Sequence, residues 1–281
     1  MRPRATAVQP PFPSARLASR GAAALDGRVG LLYGRAVSRL RVMTYNVHRC
    51  VGAGGEDSIE DIAQLCSESA ADLIALQELD APETDEDEGV HHARSLARRL
   101  GMQLLFCRTF RRGVGYYGHA LLSRHPLDLK KVTTFPAPSH PKAEPRGAIW
   151  ARASIRGRVL DVVSTHLGVY RSERRAQSLE LTGEGWLSSG EMRNPRLLCG
   201  DLNAVPAATT YRRFAALLRD AQRSIPGHRP RATFPSALPV VRIDHVFVSE
   251  DVKVRAAHVP WDARSRRASD HLPLIVDLEL P

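Results

Sequence analysis

From Arg41 onward, short apolar runs with β-branched members recur along the chain, each bounded by polar residues. Residues 42–47 and 73–77 are of this kind, and runs this short predict buried strands. Between them, Ile59, Ile62, Ala63, Leu65 and Cys66 fall at helical spacing within residues 58–69. Ser58 stands where an N-cap is wanted, and Asp61 three residues later suits the positive end of the helix dipole. The unit reads strand, helix, strand. A second helix over 90–100 leads to strands at 103–107, 119–123, 148–155 and 159–165, and Gly157 between the last two predicts a hairpin. A helix over 172–187 carries Arg and Glu on its solvent face. A strand at 196–199, a helix at 211–219 and strands at 243–249 and 274–280 follow. Hairpins mixed with strand–helix–strand units predict an α/β sandwich of two mixed β-sheets with helices outside. The sequence shows no internal repeat, although such a sandwich can hold one in its structure.

Residues 1–39 break the pattern. They are rich in Pro, Arg and Ala and cannot bury enough apolar area to offset chain ordering, so a disordered N-terminal extension is expected there and a catalytic domain over 40–281. The extension is Arg-rich and acid-poor, a faint likeness to an organelle transit peptide, while Asp26 and Arg28 interrupt its apolar residues and argue against a secretory signal.

Composition narrows the class. The chain is 43% hydrophobic and 25% charged, as ordinary globular proteins are. It has no apolar run approaching the roughly 18 residues that span a bilayer. Cys50, Cys66, Cys107 and Cys199 lie far apart with no CxxC pair. That argues against a structural zinc site or disulfide framework and predicts a reducing, cytoplasmic setting. The net charge of +10 favours polyanionic partners. The excess is nearly all arginine, with eight in the first 41 residues, so the charge admits a nucleic-acid partner without requiring one. The acidic run Glu83, Asp85, Glu86, Asp87, Glu88 reads as a self-repelling solvated loop rather than a metal site.

Polar residues at strand ends carry the chemistry. Apolar strands ordinarily end in turn residues, but six here end in groups able to hold metal or phosphate. Thr44-Tyr45-Asn46-Val47-His48 places an amide after a buried run. Leu76-Gln77-Glu78 places a single hard carboxylate directly after a second apolar run, the kind of ligand Mg²⁺ accepts while keeping most of its waters. Thr165-His166-Leu167 ends a third. In Gly200-Asp201-Leu202-Asn203 a turn-permitting Gly precedes two polar residues that alternate by two and share one face of an extended segment. Arg242-Ile243-Asp244-His245 and Ser269-Asp270-His271-Leu272-Pro273 each set a carboxylate beside an imidazole.

With these motifs in this order from about Arg41 to Leu280, the sequence resembles the endonuclease/exonuclease/phosphatase superfamily, whose members include pancreatic-type deoxyribonucleases, abasic-site endonucleases, sphingomyelinases and inositol polyphosphate 5-phosphatases. The segments Gly118-His119-Ala120-Leu121-Leu122-Ser123 and Glu144-Pro145-Arg146-Gly147-Ala148 are similar to a broad bacterial branch of metal-dependent hydrolases. The resemblance implies a four-layer α/β sandwich with the site at one end of the sheets. It implies that Glu78 is the main Mg²⁺ ligand, with Asn46 beside it and Asp270 close by, and that Mn²⁺ can substitute. It further implies that Asp201 and Asn203 position the attacking water and a phosphate oxygen. His271, held by Asp244, would act as general base or phosphate-oxygen donor. His166 would stabilise the pentacoordinate phosphorus or protonate the leaving group, and Arg146 would neutralise phosphate charge. His119 stands where related sequences have Asn, so the phosphate clamp departs from the family pattern there.

The implied activity is Mg²⁺-dependent hydrolysis of a phosphoester, most naturally by a phosphodiesterase or nuclease acting as a monomer. Arg108, Arg111, Arg112, Arg124, Arg264, Arg266 and Arg267 could contact nucleic-acid phosphates, and the Arg–aromatic run 109–117 could stack on bases or be a plain loop. A lipid head-group phosphodiesterase of sphingomyelinase type would use an exposed apolar hairpin, to which Trp261 and the Phe234-Pro235 loop could contribute. A binding protein that kept the fold is the rival from another class; the intact Glu78, Asp201, Asn203, Asp270 and His271 speak against it.

Overall fold

The computed structural model describes residues 38–82, 91–113, 115–136 and 140–281. The acidic run at 83–88 and nearly all of the N-terminal extension lie outside these residues, except that Ser38 and Arg39 already belong to the first strand.

Two six-stranded mixed sheets form the frame. The first is built from β1 (Ser38–Asn46), β2 (Leu73–Pro82), β3 (Gln103–Arg112), β4 (Gly115–Ser123), β11 (Lys253–His258) and β12 (Leu274–Leu280) in the order β11-β12-β1-β2-β4-β3. The second contains β5 (Leu127–Thr134), β6 (Gly147–Ile155), β7 (Arg158–His166), β8 (Arg196–Asp201), β9 (Arg219–Asp220) and β10 (Asp244–Val248) in the order β5-β6-β7-β8-β10-β9. Within the first, β1 and β2 run parallel and their neighbours pair antiparallel. Within the second, β7 and β8 are the parallel pair and all other pairings are antiparallel. The two sheets therefore share one sequence of strand directions, a structural repeat with no counterpart in the residue sequence.

Apolar residues of both sheets, among them Val42, Leu73, Leu121, Ile149, Val162, Leu197, Val246 and Val276, interleave in one buried core between them. Helices cover the outer faces. α1 (Ile59–Ser69), α2 (His92–Leu100) and α5 (Ala263–Ala268) cover the first sheet through Ile62, Leu65, Leu96 and Ala268. α3 (Arg171–Leu181) and α4 (Thr209–Ala215) cover the second through Leu181, Tyr211 and Phe214. The expected four-layer sandwich is the observed architecture.

Several local expectations change. Ser58 precedes α1, but its hydroxyl donates to Ala268 O at 2.7 Å, and the carboxylate of Asp57 accepts from Ile59 N at 2.9 Å instead. The helix expected over 172–187 ends at Leu181, where Gly183 and Gly185 open a run of turns. β5 was not foreseen: it is an edge strand whose Asp128, Lys130 and Lys131 suit solvent and hide the apolar alternation. The β6–β7 hairpin does turn at Gly157, with Arg156 and Gly157 both at positive φ (49° and 82°), the conformation of a two-residue turn matched to strand twist.

Candidate active site

Because β1, β2, β7 and β8 are the central parallel pairs, their carboxyl ends deliver side chains to one end of the sandwich. Asn46 ends β1, His166 ends β7 and Asp201 ends β8. Glu78 arrives differently. Between Leu76 and Leu79, Gln77 and Glu78 face the single residue His119 of β4, a bulge that puts Glu78 at φ 61°. Bulges of this kind re-aim side chains. Here the bulge turns a carboxylate out of the sheet while β2 continues to Pro82.

Asn46 ties the two sheets together at this end. Its Oδ1 accepts from His48 N at 3.1 Å, so its Nδ2 points inward and donates to Glu78 Oε1 at 2.9 Å and to Asp201 Oδ2 at 3.1 Å. His166 Nε2 lies 3.5 Å from Asp201 Oδ2 and 4.0 Å from Glu78 Oε1. Asn203, at φ 47°, directs Nδ2 to Leu167 O at 2.9 Å and to within 3.3 Å of His166 Nε2, while its own N–H donates to Asp201 Oδ1 at 2.8 Å. Asp244, paired in register with Asp201, holds His271 Nδ1 at 2.9 Å through Oδ2, and the opposite ring nitrogen lies 3.8 Å from Asp201 Oδ2.

Thr233, which the sequence did not single out, completes the arrangement together with Phe234 and Ser269, named there only as parts of a loop and a motif. The Thr233 hydroxyl donates to Asp244 Oδ2 at 2.6 Å, the Phe234 ring packs 4.8 Å from the His271 ring, and the Ser269 hydroxyl donates to Asn46 O at 2.8 Å. Thr233 and Phe234 sit in an irregular stretch without periodicity, so no pattern marks them. Ser269 directly precedes the Asp-His pair, and that adjacency was the available signal.

His119 and Arg146 lie beside His166, whose pKa both lower. Both are buried, neither ring nitrogen of His119 makes a well-formed hydrogen bond, and Arg146 Nη1 sits 3.0 Å from Glu144 Oε2. Burial pushes His119 down to about 4, opposed by the Ser164 backbone and assisted by the charge of Arg146. Burial, then Arg146, His119 and His271, holds His166 well below its usual range, so its ring is neutral at pH 7. For His271, burial alone lowers the pKa, but the charge and hydrogen bond of Asp244, followed by Asp201 and Asp270, carry it up to about 10. Burial and then the charge of Asp244 push the Asp201 carboxyl up to about 7.

These shifts describe a site with surplus negative charge. Glu78, Asp201, Asp244 and Asp270 outnumber the one imidazolium at this end, and Asp201, through burial first and the charge of Asp244 second, is the carboxyl pushed toward neutrality. That donor set, all hard oxygen apart from imidazole, fits a divalent cation of the Mg²⁺ type. Asp201, Asp244 and His271 have ligand atoms within 4.8 Å of one another and could hold an ion. Asp244 is fully buried and already engaged by His271 and Thr233, whereas the side chains of Glu78 and Asp270 are 20% and 42% exposed. A cation that keeps its waters suits the more open carboxylates, with the Asn46 amide beside Glu78.

The arginine-rich segments are distributed differently from the expectation. Residues 109–117 are not a loop but belong to the β3–β4 hairpin, apart from its turn, and the guanidinium groups of Arg108 and Arg111 lie 5.0 and 5.8 Å from the Tyr116 ring. Arg124 turns away to the carbonyls of Ala71 and Leu100. Arg264 and Arg267 pair with Glu68 and Asp61, which leaves them bound to α1.

The Endonuclease/Exonuclease/phosphatase family matches residues 43–271, most of the chain and every group just described. The uncharacterized protein YbhP of Escherichia coli strain K12 is 26% identical over 254 residues, covering 85% of this chain and 96% of its own length. Among solved structures, an endonuclease/exonuclease/phosphatase family protein from Bacteroides thetaiotaomicron superposes with a TM-score of 0.71 at 21% identity, over 87% of this chain and 96% of that one. A mannosyl-6-phosphatase from the same species gives a TM-score of 0.69 at 20% identity, over 85% and 99%. At these identities the structures testify to the shared fold.

Proposed function

The chain belongs to the endonuclease/exonuclease/phosphatase family, and from that premise we propose that it is a Mg²⁺-dependent hydrolase of phosphate esters acting by in-line attack of water, with a phosphodiester or nucleic acid as preferred substrate. The observation that carries this reading is the meeting of Glu78, Asp201, His166 and Asn46 within hydrogen-bond or ion-pair reach of one another, with the Asp244–His271 pair closing the other side.

Glu78 and Asp270 would hold the metal, which when bound supplies charge neutralisation on phosphate oxygens, while Asn46, expected as a ligand, turns its amide N–H to Glu78 and positions that carboxylate instead. The chain's own groups do the rest. Asp201 and Asn203 orient the attacking water. Asp201, beside that water, suits acceptance of its proton. His271 is held by Asp244 in one orientation and, carrying charge at neutral pH, suits donation to a phosphate oxygen. Neutral His166 suits hydrogen-bond stabilisation of the pentacoordinate phosphorus rather than proton delivery. His119 and Arg146, buried with unspent hydrogen-bonding capacity, suit contact with a phosphate group. The phosphatase among the fold's neighbours is consistent with monoesters as well.

Hydrolysis of bis-p-nitrophenyl phosphate, p-nitrophenyl phosphate and plasmid DNA, each with Mg²⁺, Mn²⁺ or chelator, tests the reading. Metal-dependent turnover that disappears in His271→Ala is expected. Turnover untouched by that substitution would sink the assignment of the site.

A further inference from the structure

Among the described residues, four large hydrophobic side chains expose more than half of their surface: Val240 at 71%, Leu238 at 66%, and Val169 and Trp261 at 55% each. All four lie on loops rooted in the site. Val169 follows His166 by three residues. Leu238 and Val240 sit on the 233–241 loop, which closes on itself through Phe234 N to Val241 O at 3.0 Å and Val241 N to Phe234 O at 2.7 Å. The base of that loop is the Phe234 ring against His271 and the Thr233 hydroxyl on Asp244. Trp261 is fastened to the same loop, its indole N–H donating to Ser236 O at 3.1 Å, and Ser236 N in turn donates to Asp270 O at 2.7 Å. The tips at Leu238, Val240 and Trp261 are thus tied through the 233–241 loop to Asp244, Asp270 and His271.

Exposed large apolar groups scattered over a surface need no explanation, but a cluster at the mouth of a polar site marks a contact surface. We propose that Leu238, Val240 and Trp261 form a docking rim that inserts into the interface of an anionic bilayer and presents the site to a phosphoester in a lipid head group. The identity of the side chains favours hydrocarbon over nucleobases. Leu238 and Val240 are aliphatic, whereas sequence-tolerant nucleic-acid contacts rely on aromatic platforms. Trp261 keeps its N–H satisfied by the protein while its ring faces outward, the arrangement of an interfacial tryptophan. The guanidinium of Arg266 lies 5.7 Å from that ring, and the chain carries a net charge of +10, which complements anionic head groups. The substrate part of this inference rests on the hydrolase reading; the docking part does not.

The chain supplies its own reporter. Trp150 and Trp186 are buried, so of the three tryptophans Trp261 alone is positioned to sense an added surface. The full-length protein is titrated with phosphatidylglycerol-containing vesicles and with pure phosphatidylcholine vesicles, and followed by tryptophan emission and co-sedimentation. A blue shift and pelleting with the anionic vesicles are expected. The double variant Leu238→Asp, Val240→Asp should bind at least about tenfold more weakly, since burial of two aliphatic side chains is removed. Its hydrolysis of soluble bis-p-nitrophenyl phosphate should stay within about twofold of the parent, because neither residue touches the reacting groups. Absence of vesicle binding by the parent, or equal binding by the variant, overturns the proposal. A concentration-dependent dimer in sedimentation velocity that the same variant abolishes would instead assign the rim to a second copy of the chain. Vesicle binding without any phosphoester turnover would leave the rim standing and remove the hydrolase reading.

Discussion

Asp244 and His271, 27 residues apart in sequence, meet through Oδ2 and Nδ1 at 2.9 Å, and the far nitrogen of the imidazole faces Asp201 Oδ2 at 3.8 Å. The carboxylate fixes which edge of the ring looks into the site, and Thr233 fixes the carboxylate. Removal of either partner leaves a buried polar group without its counterpart, which separates the effect of this pair from that of a surface ion pair.

Asp244→Asn should therefore lower kcat by about 10²- to 10⁴-fold, the range typical of losing an oriented acid–base group, with KM little changed. Circular dichroism should show the fold retained. Steady-state kinetics on bis-p-nitrophenyl phosphate would read the split, and an effect confined to KM would contradict the orienting role.

Cation binding should stabilise the protein, because Glu78, Asp201, Asp244 and Asp270 repel one another in its absence. At 100 times Kd a ligand specific for the folded state adds about 2.7 kcal/mol. Thermal unfolding with and without Mg²⁺ should show a clear rise in Tm for the parent and a much smaller one for Glu78→Gln. Equal shifts in both would place the metal elsewhere.

Acid should unfold the protein through its buried histidines. His119 and His245 are both driven down to about 4, in each case chiefly by burial, so the unfolded chain binds protons that the folded one refuses. A depressed folded-state pKa means that this stability is present above the unfolded value of about 6.5 and is lost as pH falls toward 4. Denaturant unfolding over that window should lose up to about 1.4 kcal/mol per pH unit per histidine. His245→Gln, whose amide could still donate to Ala204 O as the ring nitrogen does at 2.8 Å, should flatten the slope. An unchanged slope would argue that His245 titrates normally.

Gly200 tolerates no side chain. It sits at φ 147°, and a Cβ there would meet Thr165 O at 1.8 Å, inside the β7–β8 pairing that brings Asp201 beside His166. Gly200→Ala should cost more than about 4 kcal/mol, the range reserved for backbone clash in a core. It should appear as insoluble or unfolded protein rather than as a folded enzyme of low activity.

Much of the site is legible in the sequence because its residues stand at strand ends, where an apolar run abruptly yields a polar group. Asn46, His166, Asp201 and Asp244 were marked in this way, and β1, β7, β8 and β10 do end or begin on them. Glu78 was marked as a strand-end carboxylate, and its actual placement differs. It does not end its strand but leaves it through a bulge, a register shift decided by β4. Thr233 could not be seen at all and Phe234 was named only as part of an apolar loop, since their places against Asp244 and His271 exist only once the 233–241 loop folds back.

The sequence by itself determined most of the strand–helix order from Arg41 onward, though not β5, β9, β11 or α5, and the supply of acids, amides and imidazoles, because hydrophobic periodicity and turn chemistry act over a few residues. Tertiary structure alone decided the rest. It made two sheets with matching strand directions, set Asn46 between Glu78 and Asp201, and gave His166 and His271 opposite charge states at neutral pH. Those outcomes depend on desolvation and on charges brought together from distant segments, and such energies have no value until the chain has packed.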